Sequence, residues 1–560
     1  MMNEKWEEQF REQIHGFVET IEKFDKGEID RKAYKGISGG FGSYAQHDPS
    51  KHMLRLRMAG GNLTEKRLEF LTEAVKDYGV ELMKITTCET VQLHNLKAEQ
   101  VPVLMEKAIA SEIYSRGGGG DNPRNIMMSP LSGVQKGEAF DVKPYAEAAA
   151  EYLLSIAGEI HMPRKLKVAF SNGADDSVHS AFRDMGFMAN PDGTFTLRIA
   201  GGLGGGYKLG ILVDEHVAAT EILYYIRAMI ETFCQHGNYE NRAKARTRFM
   251  QETLGTDGLK EAFLENVAKV KEKGGLDLHV KAKPVTKKGS GEISGKRVVA
   301  QKQPGLYAVA YHPIGGCLPA GKPAELLTLV REIPDAECRI APYETIYIIN
   351  LTADEAEKVL EATNDGAQST FENSVACIGA AICQQGVRDS QAALRAAVEA
   401  VREAGIPDGA LPRICISGCP SSCSGHQAAA IGFQGAAKSV DGKPESAFKM
   451  FVGGSDKLGA AKFGEAGAVI LERDLPKFFV DLGKAVASRN MNWETWIVGH
   501  EDEFKAIVEK YASEEIIRGK VGKSENESKQ QRQRKLSFRA RIHISKRGLF
   551  KKVRNYSVPS

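Results

Sequence analysis

The sequence predicts a mixed α/β (α+β) protein built by internal duplication, with a chemically different C-terminal tail. Three observations carry this: two modules recur in the order A-B-A-B, helix and strand periodicities alternate inside each copy, and four closely spaced cysteines occur in only one copy of the second module. At 560 residues the chain is long enough for about three cores.

The first module is read from Met58-Ala59-Gly60-Gly61-Asn62-Leu63 through Lys84-Ile85-Thr86-Thr87-Cys88-Glu89-Thr90-Val91-Gln92-Leu93-His94-Asn95-Leu96, matched by Pro313-Ile314-Gly315-Gly316-Cys317-Leu318 through Arg339-Ile340-Ala341-Pro342-Tyr343-Glu344-Thr345-Ile346 and on to Leu351. In the first copy Leu68, Leu71, Val75 and Tyr78 recur at helical spacing after Thr64 as cap, and Gly79 ends the run. Leu54/Leu56 and Val91/Leu93 alternate as half-buried strands do, so each copy reads as strand, helix, strand, helix. Duplication implies that the two copies pair about a pseudo-twofold axis into one domain.

The second module runs from Met162-Pro163-Arg164-Lys165 to Met185-Gly186-Phe187 and again from Leu411-Pro412-Arg413-Ile414 to Ile431-Gly432-Phe433, each reading as its own α/β domain. The expected divisions are 1–112 for an N-terminal segment and the first A unit, 113–270 for the first B unit, 271–302 for a linker, 303–365 for the second A unit, 366–513 for the second B unit, and 514–560 for the tail. That tail is expected to be disordered: Lys523 to Ser560 carries twelve Lys or Arg against Glu525 and Glu527, and removing this excess of ten from the net charge of +3 leaves −7 on the rest.

No apolar run approaches the ~20 residues that span a bilayer, and the acidic start is unlike a signal peptide, so a cytoplasmic, membrane-free protein is expected. Nine cysteines in such a setting point to metal or redox chemistry rather than to disulfides. Where the first B unit has Ser171-Asn172-Gly173-Ala174-Asp175-Asp176, the second has Ser417-Gly418-Cys419-Pro420-Ser421-Ser422-Cys423. With Cys377 and Cys383 this gives four thiols, the number that a cubane cluster takes. Five residues separate Cys377 from Cys383, a gap that argues against structural zinc. On a continuous helix those two would point about 240° apart, so a turn is expected at Gly379. Pro420 suggests that Cys419 sits at the mouth of a helix with Cys423 one turn in. Cys234, Cys317, Cys338 and Cys415 read as core residues, with Cys415 a competitor for a ligand position.

The Cys-x5-Cys and Cys-Pro-x-x-Cys pairs after a duplicated α/β unit resemble the siroheme-dependent sulfite and nitrite reductase family, from about Gly36 to Ala512. The resemblance implies ferredoxin-like half-domains forming one pseudo-twofold domain, two siroheme/4Fe-4S-type α/β domains, and siroheme and a 4Fe-4S cluster as cofactors. It implies Cys377, Cys383, Cys419 and Cys423 as cluster ligands, with Cys423 also linking to the siroheme iron. The anion-binding positions become Arg57, Arg124, Lys165 and Lys167, and Thr86, Thr87, Gln92 and Asn125 become cofactor contacts. Lys165 and Lys167, two apart, aim two charges to one side of an extended segment. Cys88 stands where the family usually has Arg, and Ala59 where it usually has Pro.

The Lys165-x-Lys167 pair resembles that of sulfite reductases and favours a divalent anion, whereas Cys419-Pro420-Ser421-Ser422-Cys423 and Ile431-Gly432-Phe433-Gln434-Gly435 resemble the nitrite side, so sulfite is the expected substrate and nitrite the alternative, each reduced by six electrons. No nicotinamide or flavin fingerprint is present, since Gly117-Gly118-Gly119-Gly120 runs into Asp121-Asn122-Pro123; electrons are therefore expected from ferredoxin or another low-potential donor. The rival class is an iron-sulfur sensor whose basic tail contacts nucleic acid, which the resemblance makes the weaker reading.

Overall fold

The computed structural model describes residues 2–512, and within the first helix side chains from Trp6 onward. The basic stretch 523–560, with its expected disorder and nucleic-acid contact, lies outside the described residues. None of the described helices is long and apolar enough to cross a membrane.

The two A units form one body around a single apolar core, to which both contribute: Leu54, Leu71 and Leu93 from the first, Val309, Ile340 and Ile348 from the second. Each unit builds a five-stranded sheet whose last strand comes from the other copy. In the first sheet the strand Met83–Ile85 pairs with Cys317–Leu318 of the second unit; in the other, Glu337–Ile340 pairs with Asn62–Leu63 of the first. These donated strands follow the repeated Gly-Gly turns, where Gly60 and Gly315 adopt φ of 57° and 61°. The symmetry extends to unusual backbone: Glu89 and Glu344 lie at φ 54° and 66°, and Asn95 and Asn350 at 59° and 64°. Helices Glu65–Tyr78 and Lys322–Glu332 pack together, with Arg331 bridging to Glu65 and Glu69.

The helix after Thr64 and its Gly79 terminus form as the periodicity predicts, although the Thr64 side chain makes no capping bond. Strand, helix, strand, helix lacks two short strands: Asn62–Leu63 precedes the helix and Met83–Ile85 forms a hairpin with Val91–Leu96, both too brief for an alternating pattern to register. An N-terminal helix, Met2–Asp25, buries Phe10, Ile14, Phe17 and Ile21 against the first A unit.

Each B unit has its own core and a five-stranded sheet in which a short strand and its two successors run parallel and the last two strands turn back antiparallel. In the first, Met127–Met128, Val168–Ser171 and Met185–Ala189 are the parallel strands; in the second, Val375–Ala376, Ile414–Ser417 and Ile431–Val440. Residues 274–297 pass between the halves without helix or strand.

Candidate active site

Both cysteine pairs lie on loops that leave parallel strands of the second B unit. After Val375–Ala376 the chain turns at Gly379, φ 76°, and Cys383 N donates to Gly379 O at 2.8 Å, so the two thiols are brought round by a tight turn, as the spacing required. After Ile414–Ser417 comes the Cys419–Cys423 loop. The helix expected there does not form: the segment is a run of turns in which Ser422 adopts φ 53°, and that left-handed residue stops Pro420 from starting a helix. Cys415 stays on its strand, packed with Val375 and Ala429, and is no competitor in this fold.

All four thiols line one cavity of about 320 Å³, and so do Arg57, Arg124, Lys165, Lys167, Thr86, Thr87, Gln92 and Asn125. The twelve residues singled out from the sequence, scattered from 57 to 423, are thus brought together. Lys165 and Lys167 flank Leu166, which pairs with Pro123 in an extended segment leading into Val168–Ser171. The turn 86–89 is tied to both halves: Thr87 Oγ1 donates to Cys423 O at 2.9 Å, and Asn125 Nδ2 to Cys88 O and Glu89 O at 3.0 Å each.

The cavity is positively charged and left so. Among the described residues Arg55, Arg57, Arg124, Lys165 and Lys167 have no carboxylate within ion-pair distance. Arg57 spends its Nη atoms on Arg116 O (2.8 Å) and Arg124 O (3.0 Å), Arg124 spends its own on Gly118 O and Gly120 O, and both Nε atoms are buried without a partner. Burial and the neighbouring Lys167, Arg246 and Arg124 push the Lys165 ammonium well below its usual range. Burial also lifts the Cys423 thiol, which is exposed on the cavity wall but ringed by protein; together with the Cys377, Cys419 and Cys383 thiols it reaches about 12, against the pull of Lys165. Cys88 goes the other way: burial would raise it, but Lys167, Arg183 and Lys165 draw it down to about 6.

These residues fit both cofactors. No three His, Cys, Asp or Glu side chains among the described residues gather as a single ion would need. Four thiols lining one cavity suit instead a cluster in which each sulfur takes its own iron. Cysteine 377 already accepts Gly418 N at 3.1 Å, the backbone donation that stabilises a thiolate ligand. The unneutralised guanidiniums, with the unused Nε donor of Arg124, suit a macrocycle rich in carboxylates.

Comparison with known proteins agrees. Residues 44–111 match the nitrite/sulfite reductase ferredoxin-like half domain, and residues 119–271 the nitrite and sulphite reductase 4Fe-4S domain. The chain belongs to the siroheme nitrite/sulfite reductase family. As a member it is an oxidoreductase whose cofactors are siroheme and a 4Fe-4S cluster. The matched 4Fe-4S domain is the first B unit, which lacks the cysteines; they sit in its second copy.

Among its relatives, the chloroplastic ferredoxin–nitrite reductase of Zea mays is 28% identical over 73% of this chain and 74% of its own length. The ferredoxin–nitrite reductase of Synechococcus elongatus is 27% identical over 76% and 85%. The solved structure of the Mycobacterium tuberculosis NirA protein shares the fold, with a TM-score of 0.73 at 23% identity over 90% of this chain and 97% of that one.

The family's cavity in this chain holds residues that the sequence reading passed over, chiefly Tyr44, Arg55, His94 and Gln384. With the Gln92 amide oriented to satisfy its neighbours, its carbonyl accepts from Arg55 (Nη2 at 2.6 Å) and its nitrogen donates to His94 Nε2 at 3.2 Å. His94 Nδ1 lies 3.0 Å from Gln46 Oε1, and burial holds this imidazole down to about 3, hence neutral. The available signal was the alternation of Gln92 and His94 on one strand, one side chain step apart on the same face.

Proposed function

We propose that this enzyme reduces nitrite to ammonium, taking six electrons one at a time from ferredoxin, with sulfite as a second substrate. The supporting observation is the single cavity in which four cysteines face Arg124, Lys165 and Lys167, cations with no carboxylate partner among the described residues. Nitrite is placed ahead of sulfite, the reverse of the expectation from the Lys-x-Lys pair, because the curated relatives are named as ferredoxin–nitrite reductases. Sulfite is kept because both lysines line the cavity, giving a divalent anion two ammonium groups.

Siroheme, when bound, would supply an iron for the anion, and the cluster would relay the donor's electrons to it one at a time. Cys377, Cys383, Cys419 and Cys423 would hold the cluster, and Cys423, whose carbonyl accepts from Thr87 of the turn 86–89, would be the thiol nearest the macrocycle's contacts. Thr86, Thr87, Gln92 and Asn125 shape the macrocycle's bed, and Arg57 and Arg124 meet its carboxylates or the substrate. Each departing oxygen must leave as water, which needs proton donors at the anion. Lys165 Nζ, made more acidic by burial and by Lys167, is suited to giving its proton there, while Lys167 holds the anion's charge.

The test is an anaerobic assay of the cofactor-loaded protein with reduced ferredoxin, measuring ammonium from nitrite and sulfide from sulfite. Higher kcat/KM for nitrite supports the proposal. Higher kcat/KM for sulfite reverses the substrate order, and loaded protein that reduces neither overturns it.

A further inference from the structure

A second cavity, of about 370 Å³, lies against the first: Arg57 and Asn125 line both, and so stand between them. Its outer wall is one face of the helix Lys143–Ile156, where Glu147, Ala150, Glu151 and Leu154 recur at helical spacing. Opposite is Arg67, at the start of Glu65–Tyr78, whose Nη atoms donate to Asn62 O and Glu112 O.

The Nε atoms of Arg57 and Arg67 are both buried and lack a partner in the protein. A buried, unpaired N–H costs about 1–3 kcal/mol, and a polar cavity of this size has room for several waters that would satisfy both. At the mouth, Glu112, Glu147 and Glu151 are exposed. Glu112 and Glu147 pair there with Lys66 and Lys143 at 3.5 Å each, while Glu151 has no ion-pair partner among the described residues, so the opening carries exposed carboxylates that can exchange protons with solvent.

Converting nitrite to ammonium and two waters takes six electrons and eight protons. The electrons come from the donor, and the protons come from solvent. We propose that the cavity between Arg57, Arg67 and the helix Lys143–Ile156 is a water-filled inlet through which protons reach the anion site. This rests on the reductive reading of the site. The carboxylates take protons from solvent, ordered water passes them inward, and the Arg57 and Arg67 N–H groups hold that water in place. Both guanidiniums act as positioning residues and stay charged throughout.

Ala150→Leu fills the inlet without harming helix propensity, and Glu151→Leu narrows the exposed mouth with little risk to folding. Both variants, fully loaded with cofactor, should keep the wild-type spectrum and KM for nitrite. Ala150→Leu should lose roughly tenfold in kcat, the lower range of what proton transfer contributes, and Glu151→Leu less. Both should show a larger solvent deuterium isotope effect on kcat, and imidazole as a diffusible acid should restore part of the loss. In cofactor-free protein, hydrogen exchange of the segment 112–125 should slow in Ala150→Leu, since its water is displaced. Unchanged kcat and isotope effect in both loaded variants, a change confined to KM, absence of rescue, or unaltered exchange overturns the inlet. Wild-type protein that makes no ammonium would instead overturn the function on which it rests.

Discussion

Lys84 of the first A unit and Glu344 of the second form an ion pair at the centre of the pseudo-twofold domain, with side chains only 3% and 2% exposed. Lys84 Nζ also donates to Ile85 O at 2.8 Å, which fixes the lysine from its own strand, Met83–Ile85. That strand is the one completed by Cys317–Leu318, so the pair sits where the halves exchange strands, and both residues line the cofactor cavity. A charge buried there is tolerable only while its partner remains.

Removing one partner therefore costs more than the pair is worth. Lys84→Met should lower stability by about 3–5 kcal/mol, read from denaturant midpoints, by leaving Glu344 alone. Replacing both, as Lys84→Met with Glu344→Leu, should recover most of that loss. A double variant no better than the single would contradict the pairing.

Burial raises the Glu344 carboxyl to about 7 even with Lys84 beside it. A folded-state value above the unfolded one means that the folded chain binds the extra proton, so this group's contribution is full at low pH and is lost as pH rises towards 7. The stability difference between wild type and Glu344→Gln should shift against wild type between pH 4.5 and 7. A difference that does not change with pH contradicts it.

Cys88 offers a reading of the cavity's field. In cofactor-free protein, alkylation of Cys88 by iodoacetamide, followed by mass spectrometry, should rise through pH 6, set by Lys167, Arg183 and Lys165 against burial. Cys423, lifted by burial to about 12, should stay unreactive over the same range. Labelling of Cys88 that begins only near pH 9 would show that those cations do not face it.

Gly119 is packed where a side chain has no room: an added Cβ would meet the Tyr44 hydroxyl and sit 2.6 Å from Gly39 O. Gly120 N donates to that same hydroxyl at 2.6 Å, and Gly118 and Gly120 carbonyls hold Arg124. Gly119→Ala should cost about 1–3 kcal/mol and reduce siroheme occupancy, measured by thermal unfolding and by the haem-like absorbance of purified protein. Wild-type stability and colour together would contradict this packing.

Much of this was legible beforehand, for particular reasons. The duplication could be read because Gly60-Gly61 and Gly315-Gly316 need left-handed backbone that other residues resist, so the pattern persists in both copies. Four clustered thiols could be read because few structures other than a metal centre need them. The reciprocal strand exchange could not, since Asn62–Leu63 and Cys317–Leu318 are too short to carry an alternating pattern. Nor could the Cys419–Cys423 turns, because Pro420 suits a helix start equally well and only the left-handed Ser422 excludes it. The N-terminal helix was readable: Phe10, Ile14, Phe17 and Ile21 follow helical spacing, and its acidic surface drew attention instead.

The most direct test of the central claim is Cys423→Ser, purified anaerobically beside wild type and compared for visible spectrum, iron content and ammonium production from nitrite. Wild type should show siroheme and cluster absorbance with turnover, and the variant should lose turnover and at least one of the two absorbances. A variant that keeps both colours and its rate would contradict the account.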